Sequence, residues 1–231
     1  MKTLTYLIGF CLCAALMPTV VAANQVFVTN EGSGDISVVD SKTDEVVGNI
    51  KTGGKPRGIA LCKNDAHLYV SNQQGSQLQA IDTRTLATTQ TLTLGDSPEA
   101  VYCSPDGQWI AVANEGSNSV SFVSTARWKL EFSIPVHGKN PEHAVFSPDG
   151  KRMLVSAEEA DQVDVLDLTT RQQIASIRVG NRPRGIAFST DGNTAYVAVE
   201  TDSLLVAIDM QQLKVKGTLQ VGARTNGVVM H

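Results

Sequence analysis

The chain has 231 residues, 19 Lys and Arg against 23 Asp and Glu, and a formal net charge of −4. That size fits one globular unit or one repeat array, and the acidic balance gives no electrostatic reason to expect a polyanion partner. Only 18% of residues are charged and 5% aromatic, while small β-branched and hydroxyl residues are frequent, which favours an all-β fold of many short strands.

Lys2 is followed by an apolar run from Leu4 to Met17, then Pro18 and small residues around Val20 to Ala23. This pattern reads as a cleavable secretory signal over residues 1–23, leaving 24–231 as the mature protein. The run is too short to span a bilayer comfortably, and no later stretch is apolar for the roughly 18 residues that a spanning helix needs. Neither Cys11 nor Cys13 follows the small-residue pattern of a lipid-anchor cleavage site. In a Gram-negative cell the expected product is a soluble periplasmic monomer. Cys62 and Cys103 alone then enter an oxidising compartment. Cys103 stands where other repeats carry Leu61, Phe146 and Phe188, so both core filling and a disulfide stay open.

From here the chain repeats. Pro56, Pro98, Pro141, Pro183 and then Thr225 share one phase, at intervals of 42, 43, 42 and 42. A second marker agrees: Asp40, Asp82, Ser124, Asp167 and Asp209 follow at 42, 42, 43 and 42, which puts the single insertion between Ser124 and Pro141. A period of this size is the signature of a repeat architecture. Each unit holds four short strands, for example Gly185 to Phe188, Ala195 to Val199, Leu204 to Asp209 and Val215 to Val221. Ser-Pro-Asp-Gly at 104–107 and 147–150, with Ser-Thr-Asp-Gly at 189–192, joins the first two as a hairpin in which Gly takes positive φ. A four-stranded unit cannot bury both faces alone, and radial stacking into a β-propeller solves that. The mature chain begins with strands two to four of a unit (Val26 to Thr29, Ile36 to Asp40, Glu45 to Ile50) and ends on a first-strand segment, Gly227 to Met230. Pairing the two ends would give a composite blade and a closed five-bladed ring. The alternative is a fragment of a seven-bladed ring.

Val26 to Asn30, Leu68 to Asn72 and Trp109 to Asn114, with the Asp-x-Val-x-Val-x-Asp type of strand around Asp164 to Asp167, resemble the YVTN-family propeller repeat over the whole mature chain. Together with the signal, Asn140 to Phe146 and the Ser-Pro-Asp-Gly turns, they resemble the periplasmic propellers associated with quinone-cofactor (PQQ) dependent alcohol catabolism. The resemblance implies a seven-bladed fold and a place beside a quinoprotein oxidation system.

In a propeller one position read across all units becomes a ring. The residue after each repeat proline gives Arg57, Glu99, Glu142, Arg184 and, at the Thr225 phase, Asn226. The residue after strand two gives Glu31, Gln73, Glu115, Glu158 and Glu200. Strand alternation puts both rings at one channel mouth. Two outcomes follow: a polar mouth for a charged ligand, a cation or a partner loop, or Glu and Arg pairing with each other across loops. His143 stands where Gly58 and Gly185 mark the narrow axis.

The expected role is that of a noncatalytic binding or assembly module, without cofactor or metal, for a periplasmic protein or a small charged ligand. Lactone hydrolases and haem-containing nitrite reductases use similar propellers with histidine and carboxylates at the axis, so an enzyme or cofactor carrier built on His143, Glu142 and Glu99 is the second expectation. Nucleic-acid binding, known for some relatives of the repeat, is third, and the acidic chain without a basic stripe speaks against it.

Overall fold

A computed structural model describes residues 24–62 and 66–231, so the expected signal over 1–23 lies outside the described residues. The first blade is β1 (Gln25–Asn30), β2 (Asp35–Asp40) and β3 (Glu45–Lys51). The second is β4 (Pro56–Leu61), β5 (His67–Asn72), β6 (Gln77–Asp82) and β7 (Thr88–Thr93). The third is β8 (Pro98–Cys103), β9 (Trp109–Asn114), β10 (Ser119–Ser124) and β11 (Lys129–Pro135). The fourth is β12 (Pro141–Phe146), β13 (Arg152–Ala157), β14 (Gln162–Asp167) and β15 (Gln172–Arg178). The fifth is β16 (Pro183–Phe188), β17 (Thr194–Val199), β18 (Leu204–Asp209) and β19 (Lys214–Gln220). Within each sheet the strands neighbour one another in chain order and pair antiparallel.

The strand sequences follow their place in the blade. Middle strands are covered on both faces by neighbouring blades, so β9 buries Ile110, Ala111, Val112 and Ala113 in succession instead of alternating. Outermost strands face water and carry Thr and Lys, as in β7 and β19, which keeps a free sheet edge from pairing with another chain. The core lies between blades: Ile36, Val38 and Ile50 of the first pack on Leu68, Val70 and Ile81 of the second. Each such fully buried aliphatic side chain contributes about 1.5–3 kcal/mol relative to exposure.

The hairpin turns form as expected. Ser104, Ser147 and Ser189 Oγ donate to Oδ1 of Asp106, Asp149 and Asp191 at 2.5, 2.6 and 2.6 Å, and Gly107, Gly150 and Gly192 take φ of 74°, 68° and 71°. Beside these turns Cys62 and Cys103 form a disulfide with Cα atoms 5.6 Å apart, joining the second blade to the third.

The composite blade does not form. The first blade has three strands with β1 at its edge, Val26 and Val28 remain 47% and 45% exposed, and residues 227–230 hold no strand pairing. The terminal segment instead lies beside β16: Gly185 N–H donates to Asn226 O at 2.9 Å, and a Cβ on Gly185 would stand 3.0 Å from Gly227 Cα. It thus takes the next innermost place around the axis, as β8 does beside β4, without reaching β1. The step between blades is set by the volume of the side chains wedged between sheets, and repeat spacing does not encode that angle.

Candidate functional site

Each of β4, β8, β12 and β16 opens on a proline, and there the ladder slips. Pairing with the second strand jumps from Pro56 to Ile59, Pro98 to Val101, Pro141 to Ala144 and Pro183 to Ile186. Proline brings no N–H to the ladder, and a bulge leaves its residues unpaired and re-aims their side chains. The residues on these bulges are Arg57-Gly58, Glu99-Ala100, Glu142-His143 and Arg184-Gly185, so the first ring stands on irregularities repeated around the axis. The second ring is tied to the same end by one recurring bond. The N–H groups of Gln73, Glu115, Glu158 and Glu200 donate to the carbonyls of Lys55, Ser97, Asn140 and Arg182 at 2.9, 2.9, 3.0 and 2.9 Å.

Both rings meet at one mouth, and their charges pair. Arg57 Nε donates to Glu99 Oε2 at 2.7 Å and its Nη1 to Glu31 Oε2 at 2.8 Å. Gln73 Nε2 donates to the other Glu99 oxygen at 2.6 Å and to Ser97 Oγ at 2.9 Å, and Ser97 Oγ reaches Glu115 at 3.4 Å. On the far side Arg184 Nη1 binds Glu142 and, at 2.6 Å, Glu158, while its buried Nε faces Glu200 at 3.4 Å. Asn226 contributes its backbone carbonyl to β16. Interloop pairing is therefore what the mouth does with most of its charge.

A cavity of about 320 Å³ remains between the two networks, lined by Thr29, Glu31, Arg57, Glu99, Glu142 and His143 among others. Its acid–base groups are displaced from their ordinary values. Burial, a hydrogen bond with Glu158 and the nearby Glu158 and Glu99 charges raise Glu142, against the pull of Arg184. Burial also raises Glu99, opposed by Arg57. His143 is pulled down to about 4, first by burial and then by the Arg184 charge, so its ring is neutral at neutral pH. Its Nδ1 lies 2.8 Å from Tyr102 Oη, and its backbone N–H donates to Ser156 Oγ at 3.2 Å. Such clustering of perturbed groups in a concave site marks a functional candidate. Among the described residues no group of three His, Cys, Asp or Glu is placed to hold a metal ion, and no helix is long and apolar enough to cross a membrane.

Sequence reasoning passed over four members of the mouth. Lys55, Arg182 and Arg224 precede the repeat proline or its Thr225 counterpart, and this third ring was legible at the same spacing. Arg182 binds Glu158 at 2.5 Å and faces Glu200 at 3.4 Å, Arg224 binds Glu200 at 3.0 Å, and Lys55 stands 3.8 Å from Glu31. Tyr102 occupies a position held by Ala60, Val145 and Ala187 in the other innermost strands, and that departure was its signal.

A family model described as "Lactonase, 7-bladed beta-propeller" matches residues 82–172 and 143–226. Hydrazine synthase of Kuenenia stuttgartiensis is similar in structure, with a TM-score of 0.79 at 21% identity, covering 89% of this chain and 65% of that one. At that identity the likeness is one of fold, and this chain spans 65% of that chain's length. No curated protein matches the chain.

Proposed function

The chain belongs to the lactonase seven-bladed β-propeller family, and from that premise we propose that it is an exported binding module whose channel mouth receives a small charged ligand or the charged loop of a periplasmic partner. One observation carries this: the bulges of three consecutive blades aim Arg57, Glu99, Glu142 and His143 at one cavity of about 320 Å³. Their networks hold them in place before any ligand arrives, so binding costs little side-chain ordering. The signal-like residues 1–23 support export, and the YVTN-like strands with the quinoprotein-associated pattern point to a periplasmic oxidation system as the setting.

A second function, lactone hydrolysis, is favoured by the family. Opening a cyclic ester needs a base for water, stabilisation of the oxyanion and a proton for the leaving oxygen. Glu142, raised by burial, can keep a proton to give, and Arg57 can face an oxyanion. His143 at about 4 is a weak base at neutral pH, which is why binding stands ahead of turnover.

The test is a panel of five- and six-membered lactones and their open hydroxy acids offered to the purified mature protein, with proton release and calorimetry read in parallel. Binding of a hydroxy acid without proton release from its lactone, weakened at least tenfold by Arg57→Met, supports the binding module. Turnover above buffer that disappears in His143→Ala assigns the site to hydrolysis. Neither binding nor turnover removes the mouth as a small-molecule site.

A further inference from the structure

The hairpin turns of the blades lie at the end of the innermost strands away from the mouth, six residues or roughly 20 Å along the strand. There the third and fourth blades leave a half-open cleft of about 500 Å³. The turns face each other across it, since a Cβ on Gly150 would stand 3.9 Å from Pro105 Cδ. Trp109, Phe122, Phe132 and Phe146 line it.

The cleft is a feature of the repeat, but its lining is not. One blade further on, the corresponding groove holds about 600 Å³ and is lined by Arg152, Asp167, Asp191, Asn193 and Gln211, with Phe188 as its one aromatic ring. The Phe122–Phe132 cross-strand pair is equally local. At the same register the other blades pair Val38 with Gly48, Ala80 with Gln90, Val165 with Ala175 and Ala207 with Gly217. Trp109 opens β9 where the other second strands of four-stranded blades open on His67, Arg152 and Thr194. Three aromatic departures from the repeat thus converge in one gap. The rings form a continuous wall: Phe122 stacks on Phe132 at 4.6 Å, Trp109 meets Phe132 edge-on at 5.6 Å, and Phe146 meets Phe122 edge-on at 6.3 Å. Phe122 and Phe146 close the core beneath the cleft, while Trp109 and Phe132 stay partly exposed on its wall.

The charge at the rim selects the ligand. Arg171 sets its guanidinium 4.1 Å from the Phe132 ring centre, and among the described residues no carboxylate lies within ion-pair distance of it. The acids of the cleft are engaged in their own turns. Asp106 Oδ1 accepts from Ser104 Oγ and Gln108 N–H, and Asp149 Oδ1 accepts from Ser147 Oγ and Lys151 N–H and interacts with the Lys151 charge. Among the described residues Arg171 and Lys151 are the cations of the cleft without an ion pair; of the two, Arg171 lies over the ring wall, and a guanidinium fork matches a carboxylate.

We propose that this cleft is a second ligand site, separate from the channel mouth, that takes a small planar aromatic carboxylate, its ring against Trp109 and Phe132 and its carboxylate on Arg171. The volume suits a small molecule and is too small for a folded partner. The site stands on the third and fourth blades alone and is independent of any function at the mouth.

The probe is 2-naphthoate, with 2-naphthylmethanol as its neutral counterpart, followed by the two indole N–H resonances of the mature protein. The chain has two tryptophans, and Trp128 packs against Tyr69 in the neighbouring core at 5.9 Å, so it serves as the internal control, assigned with Trp128→Phe. The expected result is a saturable shift of Trp109 alone, with naphthoate bound at least tenfold more tightly than the alcohol. Arg171→Ala should abolish that difference, and Phe132→Leu should weaken both ligands. The proposal is overturned if Trp109 stays unmoved, if both indoles move together, if the alcohol binds as well as the acid, or if Arg171→Ala changes nothing. Should Phe132→Leu fail to fold, the Arg171 comparison decides alone.

Discussion

Arg57 Nε donates to Glu99 Oε2 at 2.7 Å across one full repeat of sequence, and Arg184 reaches back over the same interval to Glu142. The two arginines bracket the two acids, but their burial differs. The Arg184 side chain is 17% exposed, with partners at 14, 16 and 9%, whereas Arg57 is 33% exposed, between a buried Glu99 at 5% and a solvated Glu31 at 44%. Removing one member of a buried pair strands the other charge. Arg184→Met should therefore cost about 3 kcal/mol. Arg57→Met strands the buried Glu99 but leaves it the Gln73 hydrogen bond and leaves Glu31 in solvent, so it should cost less, about 2 kcal/mol. Urea unfolding of both variants at one pH checks the contrast, and equal losses would contradict it.

His143 makes stability pH-dependent with a defined sign. Its folded value of about 4 lies below the ordinary 6.5, so near pH 5.5 the unfolded chain binds a proton that the native state refuses. Stability then rises with pH: the contribution is fully present above about 6.5 and is lost as pH falls toward 4. Across that window it amounts to about 3 kcal/mol, at 1.36 kcal/mol per unit. Glu142 works in the other direction, because a raised carboxyl favours the native state where it is protonated and weakens it as pH rises. His143→Gln should flatten the acid side of the stability profile between pH 6.5 and 4 and leave the alkaline side in place. Denaturant titrations at half-unit pH steps read this directly.

The repeat made the architecture legible because each blade solves the same burial problem with the same periods. The bulges sit at the prolines of the innermost strands, although nothing in the spacing says that a bulge will form there. Ring closure was not legible: β1 and residues 227–230 both read as strands, but whether they meet depends on a wedge angle summed over several inter-blade contacts. The site divides in the same way. Glu99 and Arg57 could be placed together from spacing alone, whereas the Tyr102–His143 contact joins two departures from the repeat on adjacent blades. Averaging over repeats hides such departures, and comparing each blade with the others exposes them, Phe122 and Phe132 included.

The Cys62–Cys103 disulfide closes a loop of one repeat between adjacent blades. By loop-closure entropy, cross-linking residues 41 apart stabilises by about 4 kcal/mol. The Cys62→Ala, Cys103→Ala double variant should lose an amount of that order and become insensitive to reductant. Urea unfolding with and without dithiothreitol tests it, and an unchanged midpoint in the double variant would contradict it.

Gly58 is required by the close approach of two innermost strands. A Cβ there would stand 2.4 Å from the Glu99 carbonyl oxygen, 2.6 Å from Val101 N and 2.7 Å from Ala100 Cα, all backbone atoms that cannot turn aside. Gly58→Ala must push β8 outward, and β8 carries Glu99, so the strain reaches the Arg57–Glu99 bond and the cavity it borders. Overpacking of this kind costs about 1–3 kcal/mol. The control is Gly217→Ala in β19, where an added Cβ meets nothing within 4 Å and φ is not positive. That change should be neutral, or stabilising by about 0.5 kcal/mol through the unfolded chain. If both glycines respond alike in urea unfolding, the cost at Gly58 lies in strand propensity and not in the approach of β4 to β8. If Gly58→Ala alone is destabilised and also loses ligand affinity at the mouth, the spacing of the innermost strands is what holds the site open.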